Sequence, residues 1–313
     1  ISSVLMHLCH QGDEIVSART VYGGTYAFMK NFLPRFGVNT HFVDMTNLDA
    51  VKAAMNENTK VLYTEAISNP LLEVANLPEL SKIAKEHGIK LVVDNTFSPM
   101  IMSPKALGAD VVIHSLTKFI NGTSDAVGGV ACGEKELIAG MMDVNAGSSM
   151  LLGPVLDGLR SASMLKNLHS LHIRMKQHSK NAAYLAQKFQ DLGLRVFYPG
   201  LKSHPQHELM KELYNEEFGF GGMLMIDAGT EAKSNQLMEH MQNANIGYLA
   251  VSLGFFKTLF SNPGGSTSSE ISEDEMTEMG LSDGFVRISV GLDNDIERTY
   301  EKMVASFKAV GLL

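Results

Sequence analysis

Through the first half of the chain, short apolar runs alternate with amphipathic stretches, and that alternation limits the fold more than any other feature. DEIVSA (13–18), NTHFVD (39–44), KVLYTEA (60–66), KLVVD (90–94) and DVVIHS (110–115) have strand length, and in most of them apolar residues follow one another directly. A strand with one face in water alternates polar and apolar residues, whereas a continuous apolar run is covered on both faces. The segments between, such as LDAVKAAM (48–55) and LPELSKIAKEHG (77–88), repeat apolar residues at helical spacing, and Gly88 supplies a helix stop. The pattern predicts βα units and a mostly parallel, doubly covered sheet of the α/β class.

From about residue 165 the texture changes. MLKNLHSLHIRMKQHSKNAAYLAQKFQDLG (164–193) predicts one long helix ending at Gly193, and the strand candidates RVFYP, MLMID and VRISV follow among further helices. Two domains are expected, 1–166 and a smaller α/β unit at 167–313, joined by that helix. SNPGGSTSSEISEDE (261–275) reads as a surface loop. A formal charge of −8 without a dense Lys/Arg run argues against nucleic acid as a partner, and nothing approaches the apolar length of a membrane span. The two cysteines, Cys9 and Cys132, cannot form a disulfide framework and fit a reducing compartment, so a soluble, cytoplasmic protein is expected. The chain opens at Ile1 inside a pattern that already reads as helix, which leads us to expect a segment upstream of it.

In open α/β sheets the ligand crevice lies at the carboxyl ends of the strands. Asp94 closes KLVVD, and Lys118 follows DVVIHS within three residues, with Ser115 and Thr117 close before it. An ion pair at the sheet edge is one reading of this spacing. The other is a pyridoxal phosphate site, in which lysine bonds the cofactor covalently, aspartate keeps the pyridine nitrogen protonated, and the hydroxyls donate to the phosphate. A lysine must be neutral to attack a carbonyl, and burial at a strand end beside other positive charge moves it that way.

These residues belong to an ordered set: TVYGGTYAF (20–28), EAISNP (65–70), VVDNTFSP (92–99), DVVIHSLTKFINGTSD (110–125), AVSLGF (250–255) and GLSDGFVRISVGLDNDIE (280–297). In these motifs the whole chain resembles the Cys/Met-metabolism pyridoxal-phosphate enzymes of fold type I, the group that holds cystathionine γ-synthase, the cystathionine lyases and methionine γ-lyase. The resemblance implies a mostly parallel large-domain sheet of the seven-stranded type, a smaller C-terminal α/β domain, and a homotetramer built from dimers that share active sites. It implies that Lys118 bonds the cofactor and moves the α-proton, that Asp94 pairs with the pyridine nitrogen, and that Tyr22 stacks on the ring and protonates the leaving group. By the same resemblance Asn69 touches the cofactor's phenolic oxygen, Ser115 and Thr117 bind phosphate, Arg287 clamps the substrate carboxylate, and Ser252 sits beside that carboxylate.

Before Ser252 the cystathionine γ-lyases and γ-synthases carry glutamate, whereas this chain has Val251. A buried valine there favours an apolar distal group, so the resemblance is closest to the methionine γ-lyases: L-methionine gives methanethiol, 2-oxobutyrate and ammonia. Alternatives are a cystathionine or cysteine lyase, a homoserine-ester sulfhydrylase, or, outside enzymes, a non-catalytic or truncated assembly subunit. Gly24 stands where bacterial methionine γ-lyases have cysteine, and Ser268 where the family has histidine. The family's phosphate-cupping Ser-Gly-Met segment would lie upstream of Ile1. His169, His172 and His178, with His204 and His207, lack carboxylate or cysteine partners at ligand spacing, so no metal is expected. FGFGG (218–222) precedes a strand instead of following one and reads as a bend, not a dinucleotide loop.

Overall fold

The computed structural model describes residues 1–263 and 282–313. The apolar runs of the first half become strands β1 (Glu14–Ala18), β2 (Asn39–Val43), β3 (Thr59–Glu65), β4 (Lys90–Asp94) and β5 (Val111–Ser115), and β6 (Gly129–Cys132) follows. They form a six-stranded sheet in the order β2-β1-β3-β4-β5-β6, parallel except where β6 returns antiparallel against β5. The described residues thus supply six strands where the resemblance implies a seven-stranded type. Strand order reverses between β1 and β3, and an open α/β sheet forms its ligand crevice outside the strand ends at such a point.

The helices over this sheet begin where polar side chains can cap them. Asn47 Oδ1 accepts from the Ala50 N–H at the start of Leu48–Ala53, and Asn76 Oδ1 from that of Glu79 at the start of Leu77–Glu86. After the second, Gly88 adopts φ +67°, a left-handed conformation that costs glycine little. Leu77, Leu80, Ile83 and Ala84 bury the inner face of that helix.

The second half builds another sheet from β7 (Val196–Phe197), β8 (Met223–Asp227), β9 (Gly247–Leu249), β10 (Thr258–Ser261) and β11 (Phe285–Ser289), in the order β7-β8-β11-β10-β9. Side chains alternate across its central strands with period two, and each face joins a different core. Leu224, Ile226, Val286 and Ile288 pack with Phe189, Met241, Met303 and Phe307 under this sheet. Met223, Met225 and Phe285 point the other way, into the core of the first sheet. Arg287 shares the face of Phe285, and this alternation aims a buried arginine from the second sheet at the strand ends of the first.

The predicted long helix is two helices, Gly158–Leu168 and Leu171–Asp191, separated at His169 and Ser170. At the interruption, Asn167 and Ser170 bond Arg174, which also holds the segment after Lys118. RVFYP contributes only Val196 and Phe197 as strand, and FGFGG bends at Gly219 (φ +68°) and Gly221 (φ +98°). Most of the expected surface loop at 261–275, with Ser268, lies outside the described residues. Among those described, no helix is long and apolar enough to cross a membrane.

Candidate active site

A cleft of about 300 Å³ opens at the carboxyl ends of β3, β4 and β5, and its lining includes Tyr22, Asn69, Asp94, Ser115, Thr117, Lys118, Val251 and Arg287. Of the residues expected in the site, only Ser252 is absent from the lining, and its hydroxyl accepts a hydrogen bond from Lys118 Nζ at 3.0 Å.

Lys118 sits in a tight turn, Leu116–Ile120, directly after β5, with a non-helical backbone (φ −92°, ψ −130°). Burial, with the nearby Arg287 cation adding to it, pushes its ammonium down to about 8. At pH 7 roughly a tenth of such amines are neutral, against about three in ten thousand for an unperturbed lysine.

Asp94 ends β4, and one carboxylate oxygen accepts from the Thr96 N–H (2.9 Å) and hydroxyl (2.6 Å). Thr96 Oγ1 accepts in turn from the Ser115 N–H at 2.8 Å, which ties the end of β4 to the segment carrying the lysine. Burial raises the Asp94 carboxyl above its ordinary value, with the Thr96 bonds opposing. Ser115 lines the cleft and also the hollow beside it, bordered by Gly24, His114 and Gly128. The Thr117 hydroxyl accepts from the Gly128 N–H at 3.1 Å.

Arg287, 2% exposed, donates from Nη1 to Asn69 Oδ1 at 2.8 Å and from Nη2 to the Ser252 carbonyl at 3.4 Å. Burial lowers its guanidinium to about 10, opposed by the charge of Glu65, and leaves it a cation at neutral pH. Tyr22 is half exposed at the start of the short helix Gly23–Ala27. Its ring lies so close over Gly24 that a Cβ there would come within 2.7 Å of Cε1.

Val251 corrects an expectation. It lines the cleft but is 57% exposed, because it lies in a bend after the edge strand β9, so the desolvation argument for a buried valine does not hold here. What remains is an apolar side chain at an open mouth.

Two residues were missed in the sequence. Thr96 links Asp94 to Ser115, as described. Glu65 is buried at the end of β3, register partner of Asp94, and its two carboxylate oxygens accept from the N–H groups of Tyr22 and Asn69, each at 2.8 Å. One side chain therefore splints the two segments that flank the strand-order reversal. Burial and the neighbouring Asp94 charge push its carboxyl well above the usual range. Its place at a strand end, level with Asp94, is the signal that could have found it.

The donor set fits pyridoxal phosphate. A lysine whose ammonium is lowered to about 8, a buried carboxyl, hydroxyls at the end of β5 and just after it, and a buried guanidinium converge on one cleft of ligand size.

Comparison with known proteins agrees. The sequence profile of the Cys/Met metabolism PLP-dependent enzymes matches residues 1–305. A methionine γ-lyase of Arabidopsis thaliana is 46% identical over 310 residues, covering 98% of this chain and 70% of its own length. A cystathionine β-lyase of Lactococcus lactis subsp. cremoris is 37% identical over 308 residues, covering 95% of this chain and 78% of its own. Among solved structures, a Campylobacter jejuni protein described as an O-acetylhomoserine (thiol)-lyase, carrying N′-pyridoxyl-lysine-5′-monophosphate, has a TM-score of 0.90 at 26% identity, over 98% of this chain and 80% of that one.

Proposed function

The chain belongs to the Cys/Met metabolism PLP-dependent enzymes, and from that premise we propose that it is a carbon–sulfur lyase acting on L-methionine, with water as co-substrate and methanethiol, 2-oxobutyrate and ammonia as products. The observation that carries this choice is the charge inventory of the cleft. Its acidic and basic lining side chains, among those described, are Glu65, Asp94, Lys118 and Arg287. Each has a task in holding the cofactor, the substrate carboxylate or the site backbone, and Ile67, Phe97, Val127, Val251 and Leu253 supply apolar wall. A cystathionine-like ligand brings a second ammonium and a second carboxylate, which need partners; a methylthio group needs none.

Bound pyridoxal phosphate supplies an electron sink for the charge left when the substrate's Cα proton departs. Asp94 would hold its pyridine nitrogen, while Ser115 and Thr117 would donate to its phosphate. Asn69, with Oδ1 taken by Arg287, would offer its amide donors to the phenolic oxygen. Lys118 Nζ would take the Cα proton and serve the later proton removal. Arg287 fixes the substrate carboxylate through two parallel N–H donors, which keeps the Cα–H bond within reach of Nζ. Tyr22 delivers a proton to the departing sulfur, so that methanethiol leaves neutral.

Steady-state kinetics on methionine, homocysteine, cystathionine, cysteine and O-acetylhomoserine tests the substrate. The highest kcat/KM is expected for methionine; a value for cystathionine well above it would move the chain to the cystathionine lyases.

We also propose a homotetramer of dimers. Met150, Leu151, Leu152, Val155, Leu159 and Leu165 leave a run of exposed apolar surface around the helix Gly158–Leu168, as much as 84% exposed at Leu159, and a second copy would cover it. Light scattering should give four times the chain mass; a fully active monomer would overturn this.

A further inference from the structure

The turn that carries Lys118 is gripped from behind. Arg174, in the first turn of Leu171–Asp191, donates from Nη1 to the Phe119 carbonyl at 2.5 Å and from Nη2 to the Ile120 carbonyl at 2.7 Å. Its remaining contacts anchor it to the helix break, with Nη2 bonded to the Asn167 carbonyl at 3.0 Å and Nε to Ser170 Oγ at 3.0 Å. Asn167 adds a bond from Nδ2 to Asn121 Oδ1 at 2.8 Å. One helical turn on, His178 meets the Phe119 ring edge-on at 5.2 Å and bonds the Val290 carbonyl, just beyond the strand of Arg287.

Among the described residues the guanidinium has no carboxylate partner within ion-pair distance. A partly buried cation without a counter-ion costs free energy unless its donors are satisfied, and here its partners are main-chain carbonyls and one hydroxyl. Gly122 leaves the room, since a Cβ there would lie 2.5 Å from Arg174 Nη1. The planar fork of arginine matches two successive carbonyls in a way that a lysine's point charge does not.

We propose that Arg174 is a positioning residue for Lys118: by holding the Phe119 and Ile120 carbonyls it fixes the turn that aims Nζ at Ser252 and into the cleft. This rests on Lys118 being the cofactor-bearing lysine, and it adds a residue outside the cleft to the machinery that presents it. The helix is interrupted at 169–170 where Asn167 and Ser170 present their oxygens to the guanidinium, so the break is part of the same device.

The test uses Arg174→Lys and, because that variant can lose stability, Ser170→Ala, which removes the Nε acceptor together with the bond from the Ser170 hydroxyl to the Asn167 carbonyl. Both are loaded with pyridoxal phosphate, and kcat is measured per bound cofactor alongside KM, melting temperature and the pH midpoint of the visible cofactor band. We expect kcat to fall about 10- to 100-fold in Arg174→Lys, with a shifted midpoint, KM within about twofold because Arg287 is untouched, and a smaller change of the same kind in Ser170→Ala. Unchanged kcat and midpoint in a folded, loaded Arg174→Lys would overturn the inference, as would a loss confined to melting temperature. If Arg174→Lys does not fold, an unchanged Ser170→Ala overturns it. Borohydride labelling of the wild type separates the two levels: no label on Lys118 removes the functional reading and this inference together, whereas a labelled wild type beside an indifferent Arg174→Lys removes the inference alone.

Discussion

Lys118→Ala is expected to abolish elimination, because it removes the covalent anchor and the base at one stroke. Proton transfer by a positioned base alone is worth about 10²–10⁴-fold, and no other amine lines the cleft within the described side chains. Residual activity within about tenfold of wild type would contradict the assignment. The wild-type amine carries its own signature in pH. With its ammonium lowered to about 8, the neutral fraction rises about tenfold per pH unit below that value and levels off above it. The rate at which cofactor-free protein takes up pyridoxal phosphate should therefore climb from pH 6 to 8 and then flatten. A rate still climbing at pH 10 would mean that Lys118 is an ordinary surface-like lysine.

Arg287→Lys is expected to raise KM for methionine by about 10- to 150-fold while kcat changes much less. The charge survives, but one of two parallel donors is lost, and a hydrogen bond to a charged group contributes about 1.5–3 kcal/mol. Lysine also cannot reach Asn69 Oδ1 and the substrate carboxylate together, so Asn69 loses the partner now at 2.8 Å. The charge-conserving change is the better experiment, since Arg287→Ala would leave a buried hole beside Glu65. An unchanged KM would place the substrate carboxylate elsewhere.

Much of the first sheet was legible because its strands are short apolar runs bounded by capped helices, and local chemistry decides both. Asp94 and Lys118 could be placed at strand carboxyl ends from position alone, with an ion pair as the other reading; the pairing of β4 with β5 brings them to one cleft. Arg287 could not, since it comes from another sheet more than a hundred and fifty residues away and reaches the cleft only through the side-chain alternation of β11; the resemblance supplied it. Glu65 was overlooked although it stands level with Asp94, because its task is to bond two backbone N–H groups that are far apart in sequence. The break at His169 and Ser170 was not read from the sequence: apolar spacing runs on through it, and only Ser170, the N-cap of the second helix, marks it locally. Val251 shows the limit from the other side: a hydrophobic residue in sequence says nothing of whether it is covered.

The most direct measurement is borohydride reduction of the protein loaded with pyridoxal phosphate, followed by peptide mapping. A stable pyridoxyl group is expected on Lys118 and on no other lysine. A label on a different lysine, or no label from a protein that turns over methionine, would contradict it.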